Sequence, residues 1–164
     1  MGAIVREVGT LTYKTCSTAL DDYGYVLHLE KTTDKVEKTK ASNLKVYGIA
    51  NQDTKDPLDG DSGTAKTNVS IAVCRDGEVQ VKLKATNATI QVGDLLIAQV
   101  DGTVDKYTPT VIGNTSNTNE STNIDSRFKE LGRCVGIASE AKAANAGGKI
   151  IAKLSIQSTV SAND

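Results

Sequence analysis

The sequence predicts an all-β chain, a small antiparallel β-barrel or sandwich built from two similar β units, and three observations carry that expectation. Apolar and polar residues alternate through short runs rich in Val, Ile, Leu, Thr and Tyr, Asp-Gly pairs punctuate those runs, and one stretch of the chain recurs further on. Alternation with period 2 sets one face of a strand on a core and the other in water. Asp-Gly supplies the positive φ angles of tight turns. A chain of 164 residues suits one compact domain and is short for two joined by a linker. That domain is expected at 23–157, with repeat-like halves near 26–75 and 95–157. An N-terminal arm or edge strand precedes it at 1–22, and a flexible tail follows at 158–164.

Strands are expected at Tyr23–Glu30, Asn68–Arg75, Glu78–Lys84, Asp94–Val100 and Gly148–Gln157. In Glu78–Lys84, Val79, Val81 and Leu83 share one face while Gln80, Lys82 and Lys84 share the other. Asp76-Gly77 and Asp101-Gly102 are expected to close hairpins. Ser139–Asn145 is rich in Ala and followed by Gly147-Gly148, which suits a turn or two of helix with a glycine stop. Residues 51–67 and 108–126 are polar and turn-rich, without a periodic apolar face, and read as long loops.

The repeat runs from Val26 to Ala50 and again from Leu95 to Ala138. Lys35-Val36-Glu37-Lys38 matches Thr103-Val104-Asp105-Lys106, and Tyr47-Gly48-Ile49-Ala50 matches Val135-Gly136-Ile137-Ala138, with one insertion making up the difference in length. Each copy reads strand, hairpin, strand, loop, strand. Two such units bury their faces and hide their strand edges by packing together. Residues 1–20 are apolar enough to pair as an edge strand, or to reach a neighbouring subunit by strand addition. On the second reading Ile4, Val5, Val8, Leu11 and Tyr13 make the inter-subunit contacts.

Composition narrows the function. A formal charge of −1 lacks the basic footprint that nucleic-acid binding needs. No window approaches the ~20 apolar residues that span a bilayer as a helix, and Arg6 and Glu7 interrupt the place of a signal-peptide core, so synthesis in a cytoplasm is expected. Cys16, Cys74 and Cys134 form no metal-ligand pattern with the single His, and read as small hydrophobes within strands. No cofactor and no metal are expected.

Gly60-Asp61-Ser62-Gly63 matches the sequence around the nucleophile of chymotrypsin-like proteases, and His28 lies upstream. Thr64-Ala65 departs from that pattern, and the chain is too short for the two barrels of such enzymes. A turn-forming loop explains the string, and His28 reads as a strand residue completing a hydrogen bond. Asp56, Asp59 and Asp61 fall short of the oxygen-ligand ladder of a calcium loop. The expectation is a non-enzyme.

From Asp76 to Ile156 the order of elements resembles the capsid decoration (cement) proteins of tailed phages. The elements are Gly77-Glu78-Val79, the step from Ile90 through Gly93-Asp94 to Leu95, the Asp101–Val104 hairpin, the Val135–Ala138 strand, and Gly147-Gly148 before a last apolar strand. Tyr47–Ala50 fits an earlier strand of the family, whereas residues 1–22 and 108–126 have no counterpart. The resemblance implies a virion protein on the outer face of the capsid, bound to the major capsid protein and to itself as a homo-oligomer, with a trimer favoured. Charge and hydropathy add the expectation of no contact with nucleic acid or membrane. The competing reading is a tail, fibre or host-surface binding module with a β-sandwich fold.

Overall fold

A computed structural model describes residues 5–8, 11–40, 45–59, 62–109 and 130–156, the first four as backbone only. Its strands are β1 (Val5–Val8), β2 (Leu11–Cys16), β3 (Val26–Leu29), β4 (Val36–Lys38), β5 (Gly48–Ala50), β6 (Val69–Cys74), β7 (Gly77–Lys82), β8 (Leu95–Ala98), β9 (Val104–Lys106), β10 (Cys134–Ala138) and β11 (Lys149–Leu154). The chain is nearly all β, as its alternation and turn residues dictate.

Strands β2-β4-β3-β5-β6 close into a barrel, with β2 meeting β4 in parallel at Cys16 and Val36. The other sheet runs β1-β7-β11-β10-β8-β9, and just past β7 Leu83 forms a parallel bridge to Val104 of β9. Without β1, the second set repeats the first strand for strand, β7 to β11 standing for β2 to β6.

The equivalence extends to register. Leu27 and Leu29 pair with Lys38 and Val36, as Leu96 and Ala98 pair with Lys106 and Val104. Val26 pairs with Ile49 as Leu95 pairs with Ile137. The Gly24 N–H donates to Ala50 at 2.8 Å and the Gly93 N–H to Ala138 at 2.9 Å. Both glycines carry φ near +90° (+89° and +91°), where an L side chain is strained, so each chain enters its β3-type strand through the same turn.

Each unit has its own interior. Cys16, Leu20, Leu27, Val36, Ile71 and Val73 fill the first, and Leu83, Ile90, Leu96, Val104, Ile150 and Ala152 fill the second at matching positions. Burying each Leu or Ile contributes ~1.5–3 kcal/mol. The outward residues Val26, Ile49 and Cys74 of the first unit join the second unit's cluster. One face of the first unit is therefore covered by the second, and β1 adds to this join, because it pairs with β7 immediately before the chain enters β2.

Two sequence expectations are corrected. Asp76-Gly77 does not close a hairpin: Gly77 has the expected positive φ of +84°, but β6 pairs with β2 and β5 while β7 pairs with β1 and β11. The pair is the passage from one unit to the next. Asp101-Gly102 does close a hairpin, between β8 and β9. Ser139–Asn145 is not helical, because Lys142 exchanges backbone hydrogen bonds with Ile90 at 2.9 Å in each direction. That exchange is the second unit's counterpart of the Thr54-to-Leu20 bond in the first.

Candidate functional site

The side chains with familiar chemistry are committed to structure. His28 is buried, and its Nε2 lies 2.9 Å from Glu37 Oε1. A carboxylate only accepts, so Nε2 carries the proton and donates, leaving Nδ1 buried without a partner among the described residues. Burial holds the imidazole below its ordinary range, and the opposing pull of Glu37 does not overcome it. Ser62 is exposed and its hydroxyl donates to the Asp59 carbonyl at 3.1 Å, the geometry of a turn. Asp56 accepts from the Leu58 N–H and pairs with Lys66. Among the described residues no three His, Cys, Asp or Glu side chains are grouped to hold a metal ion; Asp61 lies outside them. Cys16 and Cys74 are buried and Cys134 partly so, all as free thiols. Burial raises all three, Cys74 to about 11.

The join between the units carries a denser network. Lys82 Nζ donates to the Tyr25 hydroxyl at 2.8 Å, and that hydroxyl donates to Asp21 Oδ1 at 2.6 Å. The Tyr25 hydrogen bond holds the Asp21 carboxyl below its usual range. Burial and the neighbouring carboxylate push the Tyr25 phenol well above its own. Lys149 donates to Asp22 at 2.7 Å and stands 3.4 Å from the centre of the Tyr23 ring. Tyr23 in turn donates to Gln80 Oε1 at 3.0 Å. The Lys82 N–H donates to Gly24 and the Val26 N–H to Gly102, tying the backbones of the two units. Residues 21–26 of one unit thus dock on β7 and on the β8–β9 hairpin of the other.

Among the described residues this arrangement leaves two surfaces without their counterpart. Leu95 and Ile137 are 42% and 41% exposed, whereas Val26 and Ile49, in the same places of the first unit, are 0% and 1% exposed. Val92, 67% exposed, precedes Gly93 as Tyr23 precedes Gly24. At the other end of the chain's two units, β2 stands where β7 does, and Tyr13 occupies the place of Gln80 at 70% exposure, with Leu11 beside it on the same outward face.

Of the residues singled out in the N-terminal segment, Ile4 lies outside the described residues. Val5 and Val8 are edge-strand positions facing Val79 and Gly77 within the chain. Leu11 and Tyr13 sit on β2 of the barrel, exposed. Val92, Leu95 and Ile137 were not marked by the sequence reading. The signal was present in the repeat, which aligns Val26 with Leu95 and Ile49 with Ile137, but alignment does not say which copy is covered.

No family model and no curated protein matches the chain. Among solved structures it is similar to the crystal structure of the N base of the head fiber gp8.5 in bacteriophage phi29. The TM-score is 0.50 at 16% sequence identity, over 89% of this chain and 93% of that one. At this identity the likeness is one of fold, and it spans both units.

Proposed function

We propose that the chain is a structural subunit of a tailed-phage virion, a decoration or cement protein seated on the outer surface of the head across joints between major capsid subunits. The observation that carries this reading is the likeness in fold, over nearly the whole chain, to the base of a phage head fiber. The order of turn motifs from Gly77 to Ile156, which resembles phage cement proteins, supports it from the sequence alone. Catalysis has no place in it. Exposed apolar positions such as Leu11 and Tyr13, with the N-terminal residues Ile4, Val5 and Val8, supply contacts to neighbouring subunits.

The mechanism is mechanical. Each bound subunit adds buried interface across a joint that internal nucleic-acid pressure tends to open, and anything that binds the closed form alone stabilises it by mass action. Many weak sites on one shell sum through multivalency. Closed β-barrels suit such a load, since they leave few free strand edges to aggregate.

The likeness to a head-fiber base favours a second reading, in which the chain anchors an appendage on the head and does not brace it. Sedimenting the purified protein with expanded, undecorated heads of its source virus tests both, with an unrelated virus as control. Saturable binding that raises the heads' resistance to heat supports the cement role. Saturable binding with unchanged resistance transfers the conclusion to the fiber base. Absence of binding overturns both and points to a tail or host-surface module.

A further inference from the structure

We infer that the uncovered outer face of the second unit, centred on Leu95 and Ile137, is the docking site for the β2 face of a second copy of this chain, giving head-to-tail self-association. This rests on the duplicated fold and not on the capsid role. The chain contains its own template for the interface, because the corresponding face of its first unit is covered by its second unit.

The template can be read position by position. Within the chain, Val26 and Ile49 are buried against the second unit, and Tyr23 reaches Gln80 on the outward face of β7. Shifted by one unit, Val26 and Ile49 become Leu95 and Ile137, Tyr23 becomes Val92, and Gln80 becomes Tyr13 of the incoming copy. A polar pair, Tyr23 with Gln80, is thereby replaced on both sides at once by an apolar pair, Val92 with Tyr13. Those two residues are among the most exposed large apolar side chains of the described chain. The ionic rim of the internal join changes in the same direction. Lys82 and Lys149, which hold Asp21 and Asp22, correspond to Thr15 and Ser70, while the stretch 21–23 corresponds to Gln91 and Val92. Charges are lost at these positions on both partners, while Asp94, paired with Lys106, stands where Tyr25 does in the internal join.

One position differs in shape. Gly102 lies under the stem of Lys38, where an added Cβ would stand 2.3 Å from Lys38 Cγ. In the shifted contact Asp34, which pairs with Lys14 in its own chain, takes the place of Gly102, and Lys106, which pairs with Asp94, that of Lys38, so the flexible lysine stem turns aside to admit the added side chain. The two surfaces in the contact are different, so the interface is heterologous, and repeated addition closes a ring or extends a filament.

The test uses the full chain alone, in sedimentation velocity over a concentration series. The wild type is expected to associate beyond a dimer. Leu95→Asp with Ile137→Asp, the milder turn variant Val92→Asp, and Tyr13→Asp each change exposed positions, and unchanged far-UV circular dichroism and melting confirm that they fold. Each variant by itself is expected to be monomeric. Mixing Val92→Asp with Tyr13→Asp restores one intact interface per pair and is expected to yield dimers and nothing larger. A wild type that stays monomeric at its highest soluble concentration overturns the inference. So does a Tyr13→Asp protein that associates like the wild type, since the β8–β10 faces would then be meeting each other.

Discussion

Replacement of Gly136 by Ala should be among the most damaging single-methyl changes in the chain. A Cβ on Gly136 would stand 2.1 Å from the Lys153 carbonyl oxygen and 2.9 Å from Leu154 Cα. Both atoms are backbone, so no rotamer change relieves the overlap. Restoring ordinary contact at 3.5 Å or slightly less requires β10 and β11 to part by roughly 1 Å. That movement strains the pairing of Gly136 with Leu154 in the middle of the sheet. Overpacking costs ~1–3 kcal/mol and a weakened ladder hydrogen bond ~1 kcal/mol more, so about 2–4 kcal/mol is expected. For a chain of this length each kcal/mol lowers the melting temperature by ~2–4 °C, and the sum is a fall of about 4–16 °C. Gly48 provides the internal control. Its Cβ would meet Val73 Cγ1 at 2.4 Å, a side-chain atom able to turn away, and the Cys74 carbonyl oxygen at 2.8 Å. Gly48→Ala should therefore cost only ~1–2 kcal/mol. Calorimetry of the two variants decides the matter. If Gly136→Ala melts as high as Gly48→Ala, the steric account of the Gly-Ile-Ala motif is wrong.

Two further outcomes are expected. Burial lowers the His28 pKa below its ordinary 6.5, so below that pH the unfolded chain binds a proton that the native chain resists. Stability is then level above about pH 7 and falls as the pH drops through the ordinary imidazole range until the native ring is also protonated, by at most ~1.4 kcal/mol per unit. A melting temperature that His28→Gln leaves just as pH-dependent would refute this. Ile49→Ala should cost ~2–5 kcal/mol in urea unfolding and Ile137→Ala within ~0.5 kcal/mol in dilute protein. Equal costs would mean that the two faces are equally covered.

The strands with the clearest alternation were legible in the sequence: Val69–Cys74, Gly77–Lys82 and Lys149–Leu154 fall inside or within a residue of the expected runs. The repeat was legible too, and it extends further than its sequence shows. Leu11–Cys16 and Gly77–Lys82 are equivalent strands, yet they share no side-chain type at equivalent places. Their likeness lies in backbone bonds, the Ser17 N–H to Val36 and the Lys84 N–H to Val104. Hydrogen-bond equivalence of that kind leaves no mark on composition, so the N-terminal segment had no visible counterpart. Asp76-Gly77 misled for a related reason: local turn chemistry sets a φ angle, while the partners of the flanking strands are decided by distant residues. Ser139–Asn145 had the Ala content of a helix, but the tertiary pairing of Lys142 with Ile90 overrode propensity. Of the interaction surface, Leu11 and Tyr13 were singled out from their apolar character. Val92, Leu95 and Ile137 were invisible, because exposure depends on which of two like faces the rest of the chain covers.

The pairing of β1 with β7 imposes an order in time. Strand β1, which is made before the first barrel, completes a sheet whose next member lies roughly 70 residues downstream. At ~5–20 residues per second, synthesis leaves β1 without its partner for about 4–14 s. Meanwhile β2 to β6 are made consecutively and can close their barrel. Strand β1 is thus made before the first barrel yet settles after it, and it acts as a latch: once it pairs with β7, the second unit cannot open along that edge without also tugging on the strand that leads into the first.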